Sequence, residues 1–121
     1  MDLSEIVYET GNLQKVNFYS KIEEDTSFDA ILFVFEATSC FIRVIDESDE
    51  VELLDSIPKN YFPVLGLNVL NQCIGHSLQW AWFMANQQGY QDGIRFEFKN
   101  GVILELVAIA SCFKAFVVTE I

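Results

Sequence analysis

Hydrophobic and polar positions along this chain mostly alternate with a period of two, and the breaks in that alternation mark its connections. Between Leu13 and Tyr19, Val16 and Phe18 fall on one side and Lys15 and Asn17 on the other, the pattern of a half-buried strand. Residues 31–35, Ile-Leu-Phe-Val-Phe, are apolar throughout and suit a central strand covered on both faces. Residues 39–45 and 51–54 read as two further strands, separated by the acidic turn Asp46-Glu-Ser-Asp49. Residues 2–8 are mixed, either one helical turn or a short strand. After Pro58-Lys-Asn-Tyr-Phe-Pro63 the period changes. Leu67, Leu70 and Ile74 recur at helical spacing, with Pro63 suited to a first turn and Gly75 to a stop. This predicts a short helix over 63–73, although Gly66 weakens it.

Strands then return. The stretch from Gly75 to Phe98 reads as strand, polar loop, strand, and residues 94–98 alternate cleanly. Asn100-Gly101 signals a turn with two open registers. A two-residue loop would set Phe96 against Glu105. A three-residue loop over 99–101 sets Phe98 against Val102, Phe96 against Leu104, Ile94 against Leu106 and Arg95 against Glu105. The second keeps apolar with apolar and is the one predicted, with Gly101 left-handed. Ser111-Cys112 turns the chain into a last strand, 113–118.

The two halves run in the same order. Leu13-Gln14 matches Leu78-Gln79, Phe18 matches Phe83, and Asp29-x-Ile31-x-Phe33-x-Phe35 matches Asp92-x-Ile94-x-Phe96-x-Phe98. The fold predicted is mainly β with one short helix (α+β), in a single domain over 1–121. Two pseudo-repeated antiparallel β-meanders, about 11–57 and 75–121 and joined by the helical segment 63–73, supply about eight strands of a small barrel or sandwich. A helix-covered sheet is the alternative. Where the first half places Lys15 and Asn17, the second places Trp80 and Trp82. Those tryptophans are either covered by the helix or presented to a partner.

Composition narrows the function classes. The chain has 121 residues, 51% hydrophobic with eleven Phe, which suits one packed domain rather than disorder. With 18 Asp+Glu against 7 Lys+Arg the net charge is -11, which repels nucleic acid and anionic membranes and favours a basic protein partner. Cys40, Cys73 and Cys112 are odd in number and widely spaced, as expected of buried apolar residues in a reducing compartment. The first residues lack a signal-peptide pattern, and no run is long enough to span a membrane, so the expected location is cytoplasmic.

Candidate chemistry centres on Asn86-Gln-Gln-Gly-Tyr-Gln-Asp-Gly93. Asn86 and Asp92 can bond neighbouring backbone, and Gly89 and Gly93 permit positive φ, so the plain reading is a self-satisfied loop. The functional reading is a binding site of Trp80, Trp82, Asn86, Gln87, Gln88, Tyr90 and Asp92. The turn Asp46, Glu47, Asp49, Glu50 is a solvated hairpin tip or an acidic docking patch. As a calcium loop it lacks Gly at the sixth position and has Ile57, not Glu, at the twelfth. His76 is the sole histidine, and Ser77 beside it would point to the opposite face of a strand, so no nucleophile–base pair is expected. Asp92 with Tyr90 is the one acid–base pairing worth keeping. No catalytic residue, metal or cofactor is predicted.

Trp-x-Trp followed by Asn-Gln-Gln-Gly-Tyr-x-Asp-Gly and Phe-x-Phe resembles an uncharacterised bacterial family of small proteins, a domain of unknown function. The resemblance implies a bacterial, stand-alone domain and no activity. Small size, strong acidity and the lack of a catalytic motif, rather than the resemblance, make the expected function a non-catalytic, acidic protein-binding module, in its sharpest form an immunity or inhibitor protein against a basic partner. A small-ligand-binding β-barrel using the Trp80/Trp82 face and the 86–92 loop is the alternative, and a homodimer through the aromatic face is a further one.

Overall fold

In the computed structural model, residues 2–23 and 26–118 are described. Two antiparallel sheets stack face to face. The first meander supplies β1 (Leu13–Ser20), β2 (Ala30–Phe35), β3 (Ser39–Ile45) and β4 (Glu50–Leu54). A short strand β5 (Phe62–Val64) joins it, giving the order β4-β3-β2-β1-β5. The second meander, β6 (Leu78–Ala85), β7 (Gln91–Phe98), β8 (Ile103–Ile109) and β9 (Cys112–Val118), forms the other sheet alone in sequence order. An α-helix, α1 (Leu3–Glu9), capped by Asp2 on the Glu5 amide, buries Ile6 in the core.

The fold is thus mainly β with one short α-helix, a sandwich rather than a closed barrel, with nine strands among the described residues where about eight were expected. The predicted 63–73 helix is corrected. Pro63 lies in β5, paired with Tyr19, and only Asn68–Cys73 is helical, as a 3-10 turn. Gly66 between them explains why: a Cβ there would lie 1.8 Å from the Phe18 ring, so the chain runs flat across that aromatic face.

Apolar parity builds the core. Ile31, Phe33 and Phe35 face Ile94, Phe96 and Phe98 from the opposite sheet, and Phe33 meets Phe96 edge-on at 5.2 Å. At one end Phe28 ties the sheets together. Its ring packs 4.9 Å from Phe18 and 6.3 Å from Phe113, and its carbonyl accepts from the Phe113 amide at 2.9 Å. The predicted register of the 99–101 loop is observed: Phe96 opposes Leu104, Ile94 opposes Leu106, Arg95 opposes Glu105, the Phe98 amide bonds the Val102 carbonyl, and Gly101 has φ 90°.

The two opening hairpins share a register. Leu13 pairs with Phe35 and Phe18 with Ile31, while Leu78 pairs with Phe98 and Phe83 with Ile94. Each first strand carries an irregularity at the same place, at Gln14 and at Gln79. That extra residue turns Leu78, Ala81 and Phe83 towards the core and leaves Trp80 and Trp82 on the outer face.

Candidate functional site

The outer faces of the two sheets differ. On the first, Phe41 is fully buried beneath Tyr19 and Tyr61. On the second, Trp80 is 51% and Trp82 42% exposed, and across the same row Phe116 is 48% exposed. The tryptophans are therefore presented, not covered by a helix. Between them and Phe116 lies an ion cluster: Arg95 bonds Glu105 at 2.9 Å and Glu97 at 3.1 Å, and its guanidinium lies 5.1 Å from the Trp82 ring. The two acids and the indole fix Arg95 as a flat platform. The pairing rule foretold Arg95 opposite Glu105, but Glu97 and Phe116 escaped the sequence reading.

The polar loop and the acidic turn meet at one end of the sandwich. Asn86 is the keystone of the loop. Its Oδ1 accepts from the Gln88 amide at 2.9 Å and the Tyr90 amide at 3.3 Å, and its backbone bonds Tyr90 and Gly89. Gly89 has the expected positive φ, 88°, but Gly93 does not; a Cβ on Gly93 would lie 2.6 Å from the Met84 methyl. The plain structural role therefore accounts for Asn86. Gln87 is exposed. Gln88, Tyr90 and Asp92 face Glu47, Ser48 and Asp49 across an open cleft of about 460 Å³. Glu50 opens β4 opposite Ile45.

A second cleft, about 290 Å³, lies beside the first and holds residues that the sequence reading did not select, chiefly Lys21 and Asp29 with Asp46. Lys21 bonds Asp46 at 2.9 Å. Asp29 is 8% exposed, its Oδ1 has no hydrogen-bond partner, and burial pushes its carboxyl above the ordinary carboxylate range despite Lys21 nearby. Its signal in the sequence was its match to Asp92. Between the clefts the Ser111 amide donates to Asp49 Oδ1 at 2.8 Å. Glu47, Asp49, Ala110 and Ser111, the four non-glycine residues of positive φ among those described, all lie in these two turns.

The His76 carbonyl accepts from the Leu13 amide, and Asn12 bridges Ser77, so this segment sews the two halves together. The cysteines are free; burial pushes Cys40 up to about 12 and Cys73 up to about 11, the state of inert packed thiols. Among the described residues no three His, Cys, Asp or Glu side chains gather as a metal site, and no helix is long and apolar enough to cross a membrane.

Fold and surface together define a small antiparallel β-sandwich with an exposed aromatic face and an acidic loop end. The chain belongs to a family of unknown function (DUF6334), whose model matches residues 1–121. No curated protein and no solved structure matches it.

Proposed function

We propose that this chain is a non-catalytic protein-binding module of the inhibitor or immunity type, acting on a basic partner in the bacterial cytoplasm. The observation that carries this is the pair Trp80 and Trp82, half exposed on the outer face of the second sheet. Large aromatics beside a fixed arginine are the usual anchors of an interface. Charge chooses the partner. Two copies at -11 each repel, so a homodimer is disfavoured, whereas a basic protein is drawn in. The barrel alternative loses its container, because the sheets stay open and the 460 Å³ cleft is lined by neither tryptophan. The shared hairpin register supports a duplicated ancestral unit, in which one outer face kept a cover and the other became the docking face.

The test is capture from the native host at low and high salt by wild type, Trp80→Ala and Trp82→Ala, followed by binding of the purified partner. One basic protein, released as salt rises and lost by both variants while their melting curves stay near wild type, is the expected result. A partner retained by both folded variants would sink the docking face.

A further inference from the structure

The loop end carries two clefts built on one plan. In each, the residues that open the second strand of one meander face the last turn of the other. Lys21 and Asp29 meet Ala110 and Ser111; Asn86, Tyr90 and Asp92 meet Glu47 and Asp49. Asp29 and Asp92 hold matching places, each two residues before a buried isoleucine, Ile31 or Ile94.

The clefts differ in their cation. In the first, the Lys21 ammonium sits on Asp46 and 5.6 Å from the Tyr61 ring centre. Beside it Asp29, itself more than nine-tenths buried, keeps Oδ1 without a partner. The residues lining the second cleft include Glu47, Asp49, Asp92 and the half-exposed Tyr90, but no Lys, Arg or His. These carboxylates do not converge tightly enough for a metal ion, so a spread organic cation with several N–H donors suits them better.

We infer that the loop end is a two-part receptor for the cationic side chains of a basic protein segment: a lysine or arginine head enters between Asp49, Asp92 and Tyr90, as Lys21 does in the twin cleft, and a second donor of the same segment meets the free oxygen of Asp29. This rests on the protein-binding reading and names the chemistry that the partner offers.

The purified full chain is titrated with hexalysine, hexaarginine, a neutral glycine-serine hexapeptide and spermidine, followed by calorimetry and amide NMR. At least one basic hexapeptide binds, and the amides of Gln88, Tyr90 and Ser111 shift. Asp92→Asn and Asp29→Asn, which keep side-chain shape, each weaken binding by roughly five- to tenfold. Glu9→Gln, beside Ala37 and Thr38 at the other end of the sandwich, changes it by less than about twofold. Equal weakening by Glu9→Gln, or shifts confined to Trp80 and Trp82, would overturn the receptor. Binding of spermidine but of neither basic peptide would also overturn it, in favour of a free amine. The two readings fail separately. A partner lost with Trp82→Ala but no peptide binding removes the clefts alone, and peptide binding in the clefts without such a partner removes the docking face alone.

Discussion

Asp29 shows how one side chain can work against the stability of its own fold. Burial raises its carboxyl above the ordinary range, so the folded chain holds that proton more tightly than the unfolded chain does. The sign follows from linkage: stability is fullest below the ordinary carboxylate range and falls as pH rises through the raised folded value. Asp29→Asn should therefore gain on wild type in melting temperature between about pH 3 and pH 7. A difference that stays flat over that range would show that Asp29 ionises freely. At this scale much of the site was hidden in the sequence. Asp92 drew notice because it sits in a loop rich in amides. Asp29 entered only through the repeat, although the match with Asp92 already placed both at the same point of a repeated pattern. Asn86 was legible: the plain reading had its side chain bonding neighbouring backbone, and its Oδ1 accepts from the Gln88 and Tyr90 amides.

Among the elements, the hairpins were the most legible. Hydrophobic parity chose between two registers at residues 99–101, because only one kept Phe96 and Ile94 against apolar partners. The 63–73 segment was the least legible. Leu67, Leu70 and Ile74 do recur at helical spacing, but Pro63 is held by Tyr19 and Gly66 by the Phe18 face, tertiary contacts that spacing cannot reveal. The Gln79 irregularity was also invisible, since a bulge leaves no mark on composition. The β8–β9 turn falls one residue earlier than expected, on Ala110 and Ser111, both with positive φ and without the Asn-Gly that such a two-residue turn favours. Ala110→Asn with Ser111→Gly should stabilise the chain by about 1 kcal/mol, read from denaturant midpoints at unchanged slope. A loss of stability would mean that the Ser111 side chain holds the turn through contacts that outweigh its backbone strain.

At the scale of the whole molecule, the class of fold was readable and its surface was not. Two runs of alternating strands, each with a central Phe-x-Phe, call for two apolar faces that cover one another. Whether Trp80 and Trp82 would then be roofed depended on the linker. Its Tyr61 roofs the first sheet's outer face instead. The same geometry joins the aromatic face and the acidic loop end on a single sheet, since β6 carries Trp80 and Trp82 and runs directly into the Asn86 loop. A partner large enough to cover the tryptophans could thus reach the clefts without either surface moving.

The division of strands between the sheets has a further consequence for how the chain can be made. Each meander is continuous in sequence and hides its apolar face only on the other, so neither half has a core to itself. The break between them falls in residues 55–60, outside any strand. Cut there, the chain should yield two fragments that stay unfolded apart and reassemble on mixing, with near-native circular dichroism as the readout. The carboxy-terminal fragment would bring β5 with it and insert that strand beside β1 of the other, a hand reaching back across the seam. A protein of this design is two pieces that happen to be sold on one string. Expressed separately and fused to other chains, the pieces would report when those chains meet.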